Sequence, residues 1–136
     1  MNVQHGLDRL MKKGYKYTKK REDILRYFNQ ENRYWSAKDL LRSMRASHES
    51  ISFDTIYRNL YLFVQLDILE VTDLNGEKHF RIKCDKHHHH FICLMCGITK
   101  EINLCPIHDV IKELPHYFIE DHKFEVYGTC PTCKSA

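Results

Sequence analysis

Apolar residues recur at helical spacing through the first half of the chain and at alternating spacing after Leu66. Val3 to Lys13 predicts a short helix, ended by Gly14 in the favoured position just past the last turn. Thr18 caps a second helix whose stripe is Ile24, Leu25 and Phe28. In "SAKDLLRSMRA", Ser36 and Asp39 make a capping-box start, and Ala37, Leu40, Leu41 and Met44 form the inner face. In "SFDTIYRNLYLFVQL", Ser52 is the N-cap of a fourth helix, with Phe53, Ile56, Leu60 and Phe63 predicted as its buried stripe.

The period then switches to two. "ILEVTDLNGEKHFRIKC" predicts a hairpin, with Asn75-Gly76 as a type I′ turn. Helices followed by a two-stranded hairpin are the layout of a winged helix-turn-helix. Beyond Cys84, "HHFICLMC" and "ITKEIN" predict short strands. "CPIHDVIKELP" predicts a helix between Pro106 and Pro115, and "HYFIEDHKFEVYGTC" carries a further strand. The expected fold class is α+β, in two parts: a winged-helix domain over residues 1–83 and a small α/β metal-binding domain over 84–136. No linker rich in glycine or serine separates them, so a short hinge is expected near Lys83 and Cys84.

Composition agrees with a globular chain: 136 residues, 43% hydrophobic and 29% charged. No apolar run approaches the roughly 20 residues that span a membrane, and "MNVQHGLDRLMKKG" lacks the apolar core of a signal peptide. A cytoplasmic location is expected, where six cysteines stay reduced and metal ligation is favoured over disulfides. Charge is uneven. Met1–Leu66 holds 13 Lys and Arg against 7 Asp and Glu, whereas Cys84–Ala136 holds 5 against 7. A basic first half is compatible with a nucleic-acid partner without establishing one.

The densest chemistry lies in "KCDKHHHHFICLMCG". Cys93-x-x-Cys96 and Cys130-x-x-Cys133 are two knuckles, and four thiolates complete the tetrahedral shell of structural zinc. Neither pair lies in a thioredoxin-like βαβ pattern, which disfavours redox motifs. The histidine tetrad sits in a predicted strand, so His88 and His90 face one way and His87 and His89 the other. One pair or both could bind metal. Cys84 lies just upstream, and Glu70 lies on the opposite strand of the predicted hairpin. Glu70, Cys84, His88 and His90 would form a four-coordinate set whose thiolate and imidazoles suit Zn²⁺ better than Mn²⁺. For the other face, His87 and His89 find candidate partners in His122 and in His108 or neighbouring Asp109.

"YKYTKKREDIL", "SAKDLL", "SFDTIYRNLYLF", "HHHHFICLMCG" and "GTCPTC" together resemble, nearly end to end, the ferric uptake regulator superfamily. The combination of Cys84, four histidines and both cysteine pairs looks most like the zinc uptake regulator branch of Gram-positive bacteria. The resemblance implies a homodimeric repressor with a winged-helix domain and a C-terminal dimerisation domain. It implies structural zinc at Cys93, Cys96, Cys130 and Cys133, and a sensory site at Glu70, Cys84, His88 and His90. A further site would lie at His87, His89 and His122, with His108 near the position of a carboxylate. Iron and peroxide sensors of the superfamily usually carry a histidine just before "SA", where Tyr34 and Trp35 stand here.

In the fourth helix, Ser52, Thr55, Tyr57 and Arg58 lie towards the N-terminal end that reaches base edges in a recognition helix. Arg58 can hold guanine in a bidentate pair, and Tyr57 can meet a thymine methyl or a phosphate. The resemblance implies that Lys16 probes the minor groove, with Lys19, Lys20 and Arg21 as phosphate partners. The expected function is a zinc-responsive repressor of zinc uptake genes on palindromic double-stranded DNA, with no membrane and no small-molecule substrate. The alternative is an iron or peroxide sensor of the same superfamily. A zinc enzyme such as a deaminase is disfavoured, because the His-x-Glu and Pro-Cys-x-x-Cys signature is absent.

Overall fold

The structure is a computed structural model that describes residues 1–84 and 86–135. It divides into two compact units, Met1–Asp85 and Lys86–Ala136.

The first unit is built on four helices, α1 (Val3–Lys12), α2 (Lys19–Asn29), α3 (Ala37–Met44) and α4 (Phe53–Gln65). Their starts are set by side-chain caps. Asn2, Thr18, Ser36 and Ser52 each accept a backbone N–H from the first turn, and Ser36 with Asp39 closes a full capping box. The core is continuous: Leu10, Ile24, Leu25, Leu40, Ile56, Leu60, Phe63, Ile68 and Phe80 are fully buried. Phe53 departs from the expected stripe. It is 40% exposed and stacks on Tyr57 at 6.0 Å between ring centroids, and Tyr57 stacks on Tyr61 at the same distance. The first turn of α4 projects past the core, so spacing alone misplaced Phe53.

The wing is a three-stranded antiparallel sheet ordered β1-β3-β2, formed by β1 (Trp35–Ser36), β2 (Leu69–Leu74) and β3 (Glu77–Ile82). The short β1 was not expected from the sequence. Asn75 and Gly76 have φ of 53° and 80°, the double left-handed geometry of the predicted type I′ turn. The register pairs Glu70 with Arg81, and Lys83 N–H donates to the Ile68 carbonyl. Cys84 follows past the end of β3, so Arg81, and not Cys84, stands across from Glu70.

The second unit holds a sheet ordered β5-β4-β6, from β4 (His89–Cys93), β5 (Thr99–Ile102) and β6 (Glu125–Gly128). β4 runs antiparallel to β5 and parallel to β6. A parallel pair requires a crossover, and the intervening chain carries α5 (Ile107–Glu113). The short α6 (Pro131–Ser135) starts within the second cysteine knuckle. Few side chains here are buried, and α5 buries none. Val110, Ile111, Leu114, Val126 and Tyr127 are all exposed apolar residues of this unit.

Candidate metal centres and nucleic-acid interface

The sheet of the second unit brings both cysteine knuckles together. Ligand atoms of Cys93, Cys96, Cys130 and Cys133 all lie within 4.8 Å of one another. All four are free thiols, and Cys96 Sγ stands 3.8 Å from Cys130 Sγ. A tetrahedral shell with Zn–S bonds of ~2.3 Å has an S···S edge of about 3.8 Å, so the spacing fits zinc and excludes a disulfide. Pairing of Cys93 with Gly128 at the end of the β4–β6 ladder aligns the two halves of the cluster. Backbone N–H groups are already turned towards the sulfurs: Cys130 donates to Cys93 Sγ and Cys133 to Cys130 Sγ, both at 3.4 Å. Burial pushes the Cys93 thiol up, but N–H groups of Cys130, Cys96 and Met95 outweigh it and bring it down to about 6. Cys133 moves the other way, to about 12, because hydrogen bonds with Cys130 and Cys96 retain its proton and burial adds to them. A shared cation would let all four sulfurs be thiolates at this spacing.

A second cluster lies on one face of the histidine run. Nε2 of His87, His89 and His122 stand 3.4, 3.3 and 3.3 Å from Cys105 Sγ. A tetrahedral N···S edge with zinc is roughly 3.5 Å from the same bond lengths, so the His₃Cys set also fits. Burial lowers the pKa of His89, and the neighbouring His122 and His87 lower it further, which favours the neutral ring that can act as a ligand. Cys105 replaces the expected His108. The latter stands exposed on α5 with Asp109, and neither joins the cluster. The signal in the sequence was Cys105 itself, a soft ligand outside the two cysteine pairs.

His88 and His90 share the opposite face, with ring centroids 4.6 Å apart. The alternation expected of an extended strand is thus realised. His88 Nε2 is buried with no hydrogen-bond partner among the described residues, and lies 3.5 Å from Oε1 of Glu101, a residue not expected at this site from the sequence. Glu101 lies on β5 opposite His90. In the first unit, Glu70 and Cys84 meet at Arg81: Nε lies 3.4 Å from Glu70 Oε1, and Nη2 lies 3.1 Å from Cys84 Sγ.

The outer face of α4 carries Tyr57 and Arg58, both exposed, with Arg58 paired at 3.2 Å to Asp54. Beside it an open cleft of about 580 Å³ is lined by Lys16, Lys20, Thr55 and Arg58 among others. Ser52 and Thr55 are joined in the helix cap. Lys19 is held by Glu22 and Asp23 at 2.8 and 3.3 Å. Arg21 is a strut and not an outward cation: it donates to Asn59 Oδ1 at 3.0 Å and to the Lys16 carbonyl at 2.7 Å. That strut ties α2 and the preceding turn to α4.

A winged helix and a sheet holding clustered soft ligands define a DNA-binding metalloregulator. The chain belongs to the ferric uptake regulator family, whose model matches residues 12–127. It is similar to the ferric uptake regulation protein of Staphylococcus epidermidis, 48% identical over 98% of both chains. It is likewise similar to that of Staphylococcus aureus strain Mu50, 49% identical over 98% of this chain and 99% of the relative. Among solved structures, the Vibrio cholerae ferric uptake regulator superposes with a TM-score of 0.72 at 28% identity, covering 90% of this chain and 98% of that one. The Helicobacter pylori ferric uptake regulator has the same fold, with a TM-score of 0.79 at 22% identity over 100% and 96% of the two chains. The chain is therefore a transcription regulator and not an enzyme. These staphylococcal relatives carry an iron regulator's name, so the zinc branch does not follow from them. No described helix is long and apolar enough to cross a membrane.

Proposed function

We propose that this protein is a zinc-responsive repressor that binds palindromic operator DNA as a homodimer in the cytoplasm and controls zinc uptake genes. The observation that carries the choice of metal is Cys105 among three histidine Nε2 atoms. A thiolate with imidazoles is a soft donor set that suits zinc, whereas iron(II) regulation is better served by nitrogen and oxygen ligands. Glu70, Cys84, His88 and His90 are the proposed regulatory ligands, again with one sulfur. The tetrathiolate set is the proposed structural zinc site. The exposed apolar residues of α5 and β6 support a second copy as the partner of the second unit. In the first unit, Tyr57, Arg58 and Thr55 are the proposed base-reading residues, with Lys16 and Lys20 on phosphates. DNA binding depends on zinc because zinc binds the DNA-competent conformation more tightly than the alternative.

A second reading, iron sensing, is favoured by the relatives' names. Operator binding titrated against buffered free zinc, iron(II) and manganese(II) separates the two. Half-saturation at the lowest free concentration with zinc supports the zinc reading; a response confined to iron overturns it. Within the zinc reading, Cys84→Ser retains the tetrathiolate zinc and loses the zinc response, because a hydroxyl is a much poorer zinc ligand. A wild-type response from Cys84→Ser would remove Cys84 from the regulatory site.

A further inference from the structure

Arg81 is the most deeply buried cation of the first unit's wing, with its side chain only 5% exposed. Burying a guanidinium is costly unless its donors are matched by acceptors, and the match here is incomplete. Nη2 donates to Asn32 Oδ1 at 2.6 Å and to Cys84 Sγ at 3.1 Å, and Nε faces Glu70 Oε1 at 3.4 Å. The guanidinium carbon stands 5.7 Å from the centre of the Tyr34 ring. Nη1 is buried and has no hydrogen-bond partner among the described residues.

Two neighbours of this cation, Glu70 and Cys84, are proposed above as ligands of the regulatory metal, and the inference rests on that reading. A lone pair given to a metal ion is no longer available to the guanidinium, those that remain are weaker acceptors, and two cations sharing a poorly solvated place repel each other. We propose that Arg81 is an internal counter-cation that competes with the regulatory metal for Glu70 and Cys84, and so sets the metal concentration at which the protein responds. In the absence of metal it holds the carboxylate and the sulfur near one another. When metal binds, the contacts to Glu70 and Cys84 weaken while the bond to Asn32, in the chain between α2 and β1, can persist. Arg81 is thus a positioning residue that opposes binding, and its removal strengthens binding. A purely structural strut gives the reverse result.

The test uses the full chain with its tetrathiolate and Cys105 sites filled, and no DNA. Affinity for regulatory zinc is measured by competition with a chromophoric chelator, for wild type, Arg81→Met, Arg81→Lys and Cys84→Ser. Arg81→Met is expected to bind zinc about tenfold more tightly or better, since a repelling charge is gone. Arg81→Lys is expected to fall between it and wild type, because an ammonium retains the charge but lacks the fork that reaches two partners. Should Arg81→Met lack a cooperative melt, Arg81→Lys decides alone: tighter zinc supports the proposal, and unchanged or weaker zinc overturns it. A folded Arg81→Met with unchanged or weaker affinity overturns it too. If Cys84→Ser loses regulatory zinc while the Arg81 variants match wild type, only the inference fails. If Cys84→Ser binds zinc like wild type, the ligand assignment beneath it fails.

Discussion

Cys105 Sγ lies 3.3 Å from His89 Nε2, across 16 positions of sequence. The contact fixes which residues of the β5–β6 connection can serve the histidine face of β4. Cys105→Ala should therefore remove about one zinc ion per subunit under mild chelation, because three imidazoles alone leave the shell open. His108→Ala should leave metal content unchanged, since His108 stands apart on α5. Metal analysis of both variants checks this, with cobalt(II) substitution as a direct view of the thiolate bond. Equal losses from the two would return His108 to the site.

The two faces of the histidine run were legible in the sequence because strand geometry leaves little choice: alternate residues must separate. The ring pairs His87–His89 and His88–His90, at 5.0 and 4.6 Å, keep that alternation although β4 begins only at His89. The four-cysteine cluster was equally legible, since each tight knuckle already directs two sulfurs to one point. Cys105 was not, because choosing it over His108 requires the path of the chain after β5, on which periodicity is silent. Arg81 escaped for a related reason. Its contact with Glu70 needs the hairpin register, and a one-residue slip would have placed it on the other face. Phe53 failed in the opposite sense: the spacing was right, but the core ends before the helix does.

The tetrathiolate cluster should carry the folding of the second unit, which buries few apolar side chains of its own. Cys93→Ser is expected to lose the proposed structural zinc and the proposed dimer together, because metal binding free energy is folding free energy in such a module. Zinc content and sedimentation velocity provide the measurement. A zinc-free Cys93→Ser protein that remained folded and dimeric would sink the claim.

On the proposed DNA face, exposed and committed cations should separate cleanly. Arg58→Ala is expected to cost roughly 1–3 kcal/mol and to relax base preference. Its pair with Asp54 is solvent-exposed and easily exchanged for a base edge. Lys20→Ala should weaken all sequences alike and reduce the salt slope by about one unit. Operator and random-sequence affinities across a salt series give both quantities. If Arg58→Ala kept affinity and preference intact, the wrong face of α4 would have been assigned to DNA.

Stability of the first unit should depend on pH through Asp23. Asp23 on α2 accepts from His48 Nε2 at 2.8 Å, which pins the α3–α4 connection, and faces Lys19 at 3.3 Å. Burial raises the Asp23 carboxyl, but the His48 hydrogen bond and the Lys19 contacts outweigh it, leaving the pKa below the ordinary 3.8. A carboxylate with a depressed folded pKa takes up its proton more readily in the unfolded chain. Its stabilising contribution is then complete above the unfolded value and fades as pH falls through the folded one. Asp23→Asn should destabilise the unit by about 1 kcal/mol at neutral pH, with the deficit shrinking below roughly pH 4. Trp35, the single tryptophan, sits in β1 against Tyr27 with ring centroids 4.9 Å apart. Its fluorescence therefore follows unfolding of this unit. Urea unfolding of wild type and Asp23→Asn at pH 7 and pH 3 makes the comparison. A deficit that persists undiminished at pH 3 would show that Asn disturbs packing and that the charge pair contributes nothing.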